Sequence, residues 1–122
     1  MDDMRFIYFG RPEQGQHHKG VVCIGYKQEE NGLNFAISFC SPKDNFSRPK
    51  AHLMLGGRYD KEKREVLEEF SSVEDLKPFE TVRETVWMFL NEDGYNDIAG
   101  VPVPGWFKRQ IKKNQKDVSI SA

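Results

Sequence analysis

Apolar residues in this chain first alternate and then recur every three or four positions, and the change falls after Cys40. Three segments, Met4 to Phe9, Gly20 to Tyr26 and Leu33 to Phe39, are rich in β-branched and aromatic residues and are separated by turn-forming stretches. That combination predicts three strands. The second and third flank Glu29-Glu30-Asn31-Gly32, and Asn-Gly suits a two-residue type I′ turn because both central residues need positive φ. With Asn31 and Gly32 as the turn, Glu30 pairs with Leu33, Tyr26 with Ile37, Ile24 with Phe39 and Cys23 with Cys40. The two-residue period then gathers Val22, Ile24, Tyr26, Phe35, Ile37 and Phe39 on one face, which is expected to form half of the core. The opposite face, with Val21, Cys23, Gly25, Ala36, Ser38 and Cys40, is small. It either admits a close neighbour (a backbone, a subunit, a ligand) or lies thinly covered towards solvent.

Beyond Cys40 the punctuation is helical. Ser47 is a suitable N-cap for a helix of about two turns through Leu55, with Pro49 in its first turn and Gly56-Gly57 as its stop. A second helix is predicted from about Asp60 to Phe70, with Val66, Leu67 and Phe70 facing inward. A third runs from Pro78 to about Leu90, where Phe79, Val82, Val86, Phe89 and Leu90 form a stripe and Glu92-Asp93-Gly94 supplies the stop. Glu80, Glu84, Trp87 and Asn91 line up beside that stripe, so Trp87 is either covered by another element or open to a partner. Residues 98–105 hold too many Pro and Gly residues to read as regular structure. Pro104 can open a last helix that carries Trp106 and Phe107 on its first turn and four cations beyond. The fold expected is α+β, an N-terminal antiparallel β-meander followed by packed α-helices, in a single domain over 1–122 with a frayed tail at 114–122.

Length and composition narrow the class. A chain of 122 residues suits one core. No run approaches the ~20 apolar residues that cross a bilayer, and two acids precede the first apolar run where a secretory leader carries basic residues. This reads as a cytosolic protein. Cys23 and Cys40 are too few for a disulfide framework and have no zinc-like spacing. The net charge of −1 divides unevenly, into +2 over 1–58, −7 over 59–100 and +4 over 101–122. With a pI near 6.3 and an acidic middle, a nucleic-acid polymer is a poor fit, whereas a small anion is compatible with the two basic segments.

Catalysis has little to build on. A Cys–His mechanism needs Cys40 activated by His52 and oriented by a third polar group, which the spacing does not require. His17 and His18 are adjacent and diverge on most backbones, so they make a poor metal site. Anion binding has more behind it. The stretch SFCSPKDNFSRPKAHLMLGGR, residues 38–58, offers a helix amino end near Ser47, the cations Arg48 and Lys50, and Gly56-Gly57-Arg58, where a phosphate can approach bare backbone beside a guanidinium. Far along the chain, Trp106, Phe107 and Arg109 combine stacking planes with a cation. Each of these residues also has an ordinary structural reading, as a helix stop, a surface charge or core.

The opening MRFIYFGRP, the strand leading into SFCSPKDNFSRPKAHLMLGGR, and a late basic helix after an Asn-bearing segment resemble the Thoeris anti-defence family of phage proteins, sponges that sequester cyclic ADP-ribose signals. The resemblance implies a protein of the host cytoplasm that binds a cyclic ADP-ribose isomer without cleaving it, as a homo-dimer or higher homo-oligomer, with no metal or other cofactor. It places the adenine on an aromatic such as Trp106 and the polar contacts on Asn91 and Arg109. Gly57 and Arg58 suit the phosphates of a second ligand, and Arg11 and Arg48 complete the candidate ligand-binding set. The alternative reading is a phage-encoded interaction protein that inhibits a host protein or nucleic-acid-binding complex by docking through its acidic helices or its basic C-terminal segment.

Overall fold

A computed structural model describes residues 4–10, 19–68, 79–92 and 94–112. Strands β1 (Arg5–Phe9), β2 (Val21–Glu29) and β3 (Gly32–Cys40) form an antiparallel meander, and β4 (Glu65–Leu67) pairs with the outer edge of β3. Helix α1 (Arg48–Asp60) lies between β3 and β4 in sequence, and α2 (Phe79–Leu90) follows β4. A two-stranded hairpin, β5 (Asp97–Ile98) and β6 (Val101–Pro102), leads into α3 over 105–112. The fold is therefore α+β, with the meander first and the helices packed on it. Arg11, His17, His18, Phe70, Pro78, Asp93 and the tail 114–122 lie outside the described residues.

The hairpin closes one residue earlier than Asn-Gly predicts. Glu29 pairs with Gly32, so Glu30 and Asn31 form the loop, Ile24 opposes Ile37 and Cys23 opposes Ser38. Neither loop residue has positive φ; Gly32 does, at 133°. A Cβ on Gly32 would collide with the Leu67 carbonyl, so docking of β4 demands glycine there and draws it into the ladder. The pairing moves each partner by two positions, and a two-residue shift preserves facing. Val22, Ile24, Tyr26, Phe35 and Ile37 accordingly remain on one buried face, with Phe39 packed at its margin.

Both faces of the sheet are covered. The bulky face packs on Val82, Val86 and Leu90 of α2, Ile98 and Val101 of the small hairpin, and Phe107 and Ile111 of α3. The small face takes α1, whose Ala51, Leu55 and Tyr59 sit against Val21, Cys23 and Ala36. Gly25 lets this helix approach, since a Cβ there would stand 3.3 Å from that of Leu55. Cys23 is buried, and that burial pushes its thiol pKa up to about 11; its role is packing.

Two helical expectations are overturned. Gly56-Gly57 does not stop α1, which continues to Asp60. Two glycines cost a helix about 2 kcal/mol relative to alanine, whereas burying Leu55 and Tyr59, one turn apart on either side of the pair, returns roughly 1.5–3 kcal/mol each. The end comes instead at Glu62, with φ 64°, where Lys63 N–H donates to the Arg58 carbonyl at 2.8 Å and Glu62 N–H to that of Tyr59 at 3.1 Å, the paired bonds of a Schellman motif. Residues 65–67 are strand, not helix: the exposed edge of β3 at Leu33–Phe35 offers backbone partners, and pairing with it buries Leu67. The 98–105 stretch is also more regular than its Pro and Gly content suggests. Ala99 and Gly100, at φ 53° and 76°, make the tight turn of the β5–β6 hairpin.

Candidate functional site

Phe6 and Tyr8 stand two apart on β1, on the face that α1 covers, and Arg48 and His52 stand four apart on α1. Antiparallel packing brings the two pairs together. The Tyr8 hydroxyl is hydrogen-bonded to His52 Nε2, and Arg48 Nε–H donates to the same hydroxyl at 3.1 Å. Phe6 stacks on the imidazole at 3.7 Å between centroids and 10° between planes, and Phe46 meets Tyr8 edge-on at 5.9 Å. The Arg48 guanidinium lies over the Tyr8 ring, 5.5 Å from its centroid. Burial, and then the Arg48 charge, hold the His52 pKa below its usual value.

This cluster lies at the amino end of α1. Ser47 is the N-cap, its hydroxyl accepting from Lys50 N–H at 3.5 Å; Pro49 is in the first turn, and no acidic residue is. The helix-dipole end and the exposed Arg48 and Lys50 are therefore uncompensated by first-turn carboxylates. The anion-friendly reading of residues 38–58 is concentrated here, with aromatic planes that the spacing alone did not place.

A concavity lies on the opposite face of the sheet. Phe9, Gly10, Glu80, Arg83, Glu84 and Trp87 line a mostly apolar groove of about 400 Å³. Trp87 packs on Phe9 at 4.8 Å. Arg83 is turned inward: it donates to the Tyr8 carbonyl at 2.8 Å and lies 4.5 Å over the Phe9 ring, leaving the exposed Glu80 and Glu84 at the lip. Trp87 is thus half covered and half open to the groove.

The structure does not gather the ligand set expected from the sequence. Arg48 joins the cluster just described. Gly57 is exposed near the carboxyl end of α1, and Arg58 donates to the Ile37 carbonyl at 2.6 Å, completing the edge of β3 beyond β4. Asn91 donates to the Trp87 carbonyl at 2.7 Å, closing the last turn of α2. Trp106 packs over Gly20, where a Cβ would overlap its ring, and meets Phe39 edge-on at 6.1 Å. Arg109 is exposed on α3 and folds back beside Gly105. The sheet separates Arg48, Gly57 and Arg58 from Asn91, Trp106 and Arg109, so these two groups cannot share one small ligand. Arg11 lies outside the described residues.

Sequence spacing does not single out Phe6, Tyr8 or Phe46, and it offers His52 only as a partner for Cys40. Their signal was present as an i, i+2 aromatic pair on one strand and an i, i+4 cation–imidazole pair on one helix, but only docking of α1 on β1 joins them. The same docking directs His52 to Tyr8 and away from Cys40, whose thiol contacts the carbonyls of Ser41 and Asp44 and whose pKa is raised by burial and by Asp44. An activated nucleophile requires the opposite shift. Among the described residues, no three His, Cys, Asp or Glu side chains cluster to hold a metal ion, and no helix is long and apolar enough to cross a membrane. No family model, no curated protein and no solved structure matches this chain.

Proposed function

We propose that the protein is a binding protein that captures a small phosphorylated nucleotide of the cyclic ADP-ribose type at the amino end of α1 and withholds it uncleaved, a phage anti-defence sponge acting in the host cytoplasm. The observation that carries this reading is the first turn of α1, where Arg48, Lys50 and the helix-dipole end stand beside Tyr8 and Phe46 with no first-turn acid. In this reading Arg48 offers its terminal nitrogens to a phosphate while Tyr8 holds its Nε. The rings of Tyr8 and Phe46 give the base an apolar edge. Asn91, Trp106 and Arg109, on the other face, take no part.

A sponge that competes with a signalling receptor needs a Kd near nanomolar, about −12 kcal/mol. Calorimetric titration with cyclic ADP-ribose isomers should reach that range, and heating the complex should release intact ligand. Recovery of cleaved product would make the protein an enzyme. Arg48→Ala should weaken binding at least about tenfold, because one hydrogen bond to a charged group is worth roughly 1.5–3 kcal/mol, and Arg109→Ala should leave it unchanged. Equal affinity for wild type and Arg48→Ala would remove the cluster from the site.

The Phe9–Trp87 groove favours a second reading, an interaction protein that docks on a host macromolecule through α2. A mostly apolar floor under two carboxylates suits an apolar anchor flanked by basic residues. Loss of a host partner on Glu80→Lys/Glu84→Lys, with no nucleotide bound by the wild type, is the result this reading expects.

A further inference from the structure

The groove where the end of β1 meets α2 has the size and chemistry of a small-molecule site. Its volume of about 400 Å³ falls within the range of ~300–1,000 Å³ usual for ligand pockets. Trp87 supplies an aromatic wall, packed on Phe9 at 4.8 Å between centroids. Glu80, Glu84 and Trp87 recur at spacings of four and three, so they lie along one face of α2. Both carboxylates are exposed, and among the described residues neither has an ion-pair or hydrogen-bond partner. Arg83 adds a positive charge but is committed to β1: its Nη1 donates to the Tyr8 carbonyl at 2.8 Å and its guanidinium lies 4.5 Å over the Phe9 ring. Two carboxylates and one guanidinium leave the groove one net negative charge, within a segment, residues 59–100, that carries −7.

We propose that this groove binds a small organic monocation, an aromatic or alicyclic ring on a short chain that ends in an ammonium. The ring lies against the Trp87 indole, which offers apolar area and a stacking plane. The ammonium has three donors and spans Glu80 and Glu84, whose Cβ atoms stand one helical turn apart, ~5–6 Å. The acidic segment around the groove favours the approach of a cation. A nucleotide would instead bring its phosphates against two carboxylates. The site is therefore separate from the amino end of α1, and either reading can fail alone. It is also narrower than docking of a macromolecule, because a free amine engages all three groups by itself.

Titration with phenethylammonium at pH 7, followed by NMR of the indole N–H signals, tests it. The Trp87 signal should shift to saturation while that of Trp106, on α3, stays in place. Phenylethanol, with the same ring and chain length and no charge, should bind at least about tenfold more weakly, because it loses the charge-assisted bonds to the carboxylates. Phenylpropionate should not bind. Glu80→Gln/Glu84→Gln should erase the preference for the amine over the alcohol; both positions are exposed, and circular dichroism checks that the variant folds. No shift at Trp87, equal affinity for amine and alcohol, or an amine preference that survives in the double variant overturns the proposal. Capture of a host macromolecule through α2 by a protein whose Trp87 signal ignores the amine overturns it as well, and leaves docking as the role of the groove.

Discussion

Arg58 reaches from the last turn of α1 to the Ile37 carbonyl at 2.6 Å, on the part of β3 that β4 does not cover. A guanidinium here replaces a strand, giving an edge carbonyl a charge-assisted partner, and burial lowers its pKa. Arg58→Ala should therefore destabilise the fold by about 1–3 kcal/mol, read as a lower urea midpoint, without changing affinity for a ligand at Arg48. Weakened ligand binding in a folded Arg58→Ala protein would return this residue to the site. Its neighbour Tyr59 is equally committed. Its hydroxyl donates to the Glu29 carboxylate and its ring lies under Arg64 at 4.6 Å and Lys27 at 5.1 Å, which ties the end of α1 to β2. Nothing in the local spacing distinguishes these residues from surface charges, because their partners are 21 and 30 positions away in sequence.

At the scale of elements, termination of α1 is the instructive case. The left-handed residue that closes the Schellman motif is Glu62, which pays a Cβ penalty that glycine avoids. Glu62→Gly should raise stability by about 1 kcal/mol, seen as a higher melting temperature, and a loss of stability would show that Glu62 makes a compensating contact. Ser47 as N-cap and the Val82–Val86–Leu90 stripe of α2 were legible in the sequence, since capping and helical spacing are local properties. Gly56-Gly57 does not stop the helix because glycine is permitted, not compelled, to leave one, and flanking burial decides. Residues 65–67 form strand where helix is expected, because a short apolar pair cannot announce that a strand edge is there to receive it.

Across the whole molecule, the sheet acts as a partition. It sets the Tyr8–Arg48–His52 cluster under α1 and the Phe9–Trp87 groove under α2, so the two candidate surfaces are chemically separate. The first surface makes global stability sensitive to pH. His52 has a lowered pKa in the native state, so just below about 6.5 the unfolded chain binds more protons than the folded one. Its contribution is fully present above that value and is lost as pH falls towards the native pKa. Urea unfolding at pH 7.5 and 5.5 should show lower stability at the acid end, and His52→Phe, which keeps the stack on Phe6, should shrink the difference. A difference that persists unchanged in the variant would assign the acid sensitivity to other groups.

The sequence by itself determined the strands of the meander, the faces of its hairpin and the amino end of α1, because side-chain alternation and capping are written in neighbouring residues. Facing even survived the register error, since the shift was by two and the strand period is two. Tertiary structure alone decided that α1 passes through two glycines, that β4 is a strand, and that cations close in the sequence serve different ends, Arg48 at an exposed cluster and Arg58 within the fold. Those outcomes depend on which groups are left unpaired or uncovered once distant segments meet, and no local pattern carries that information.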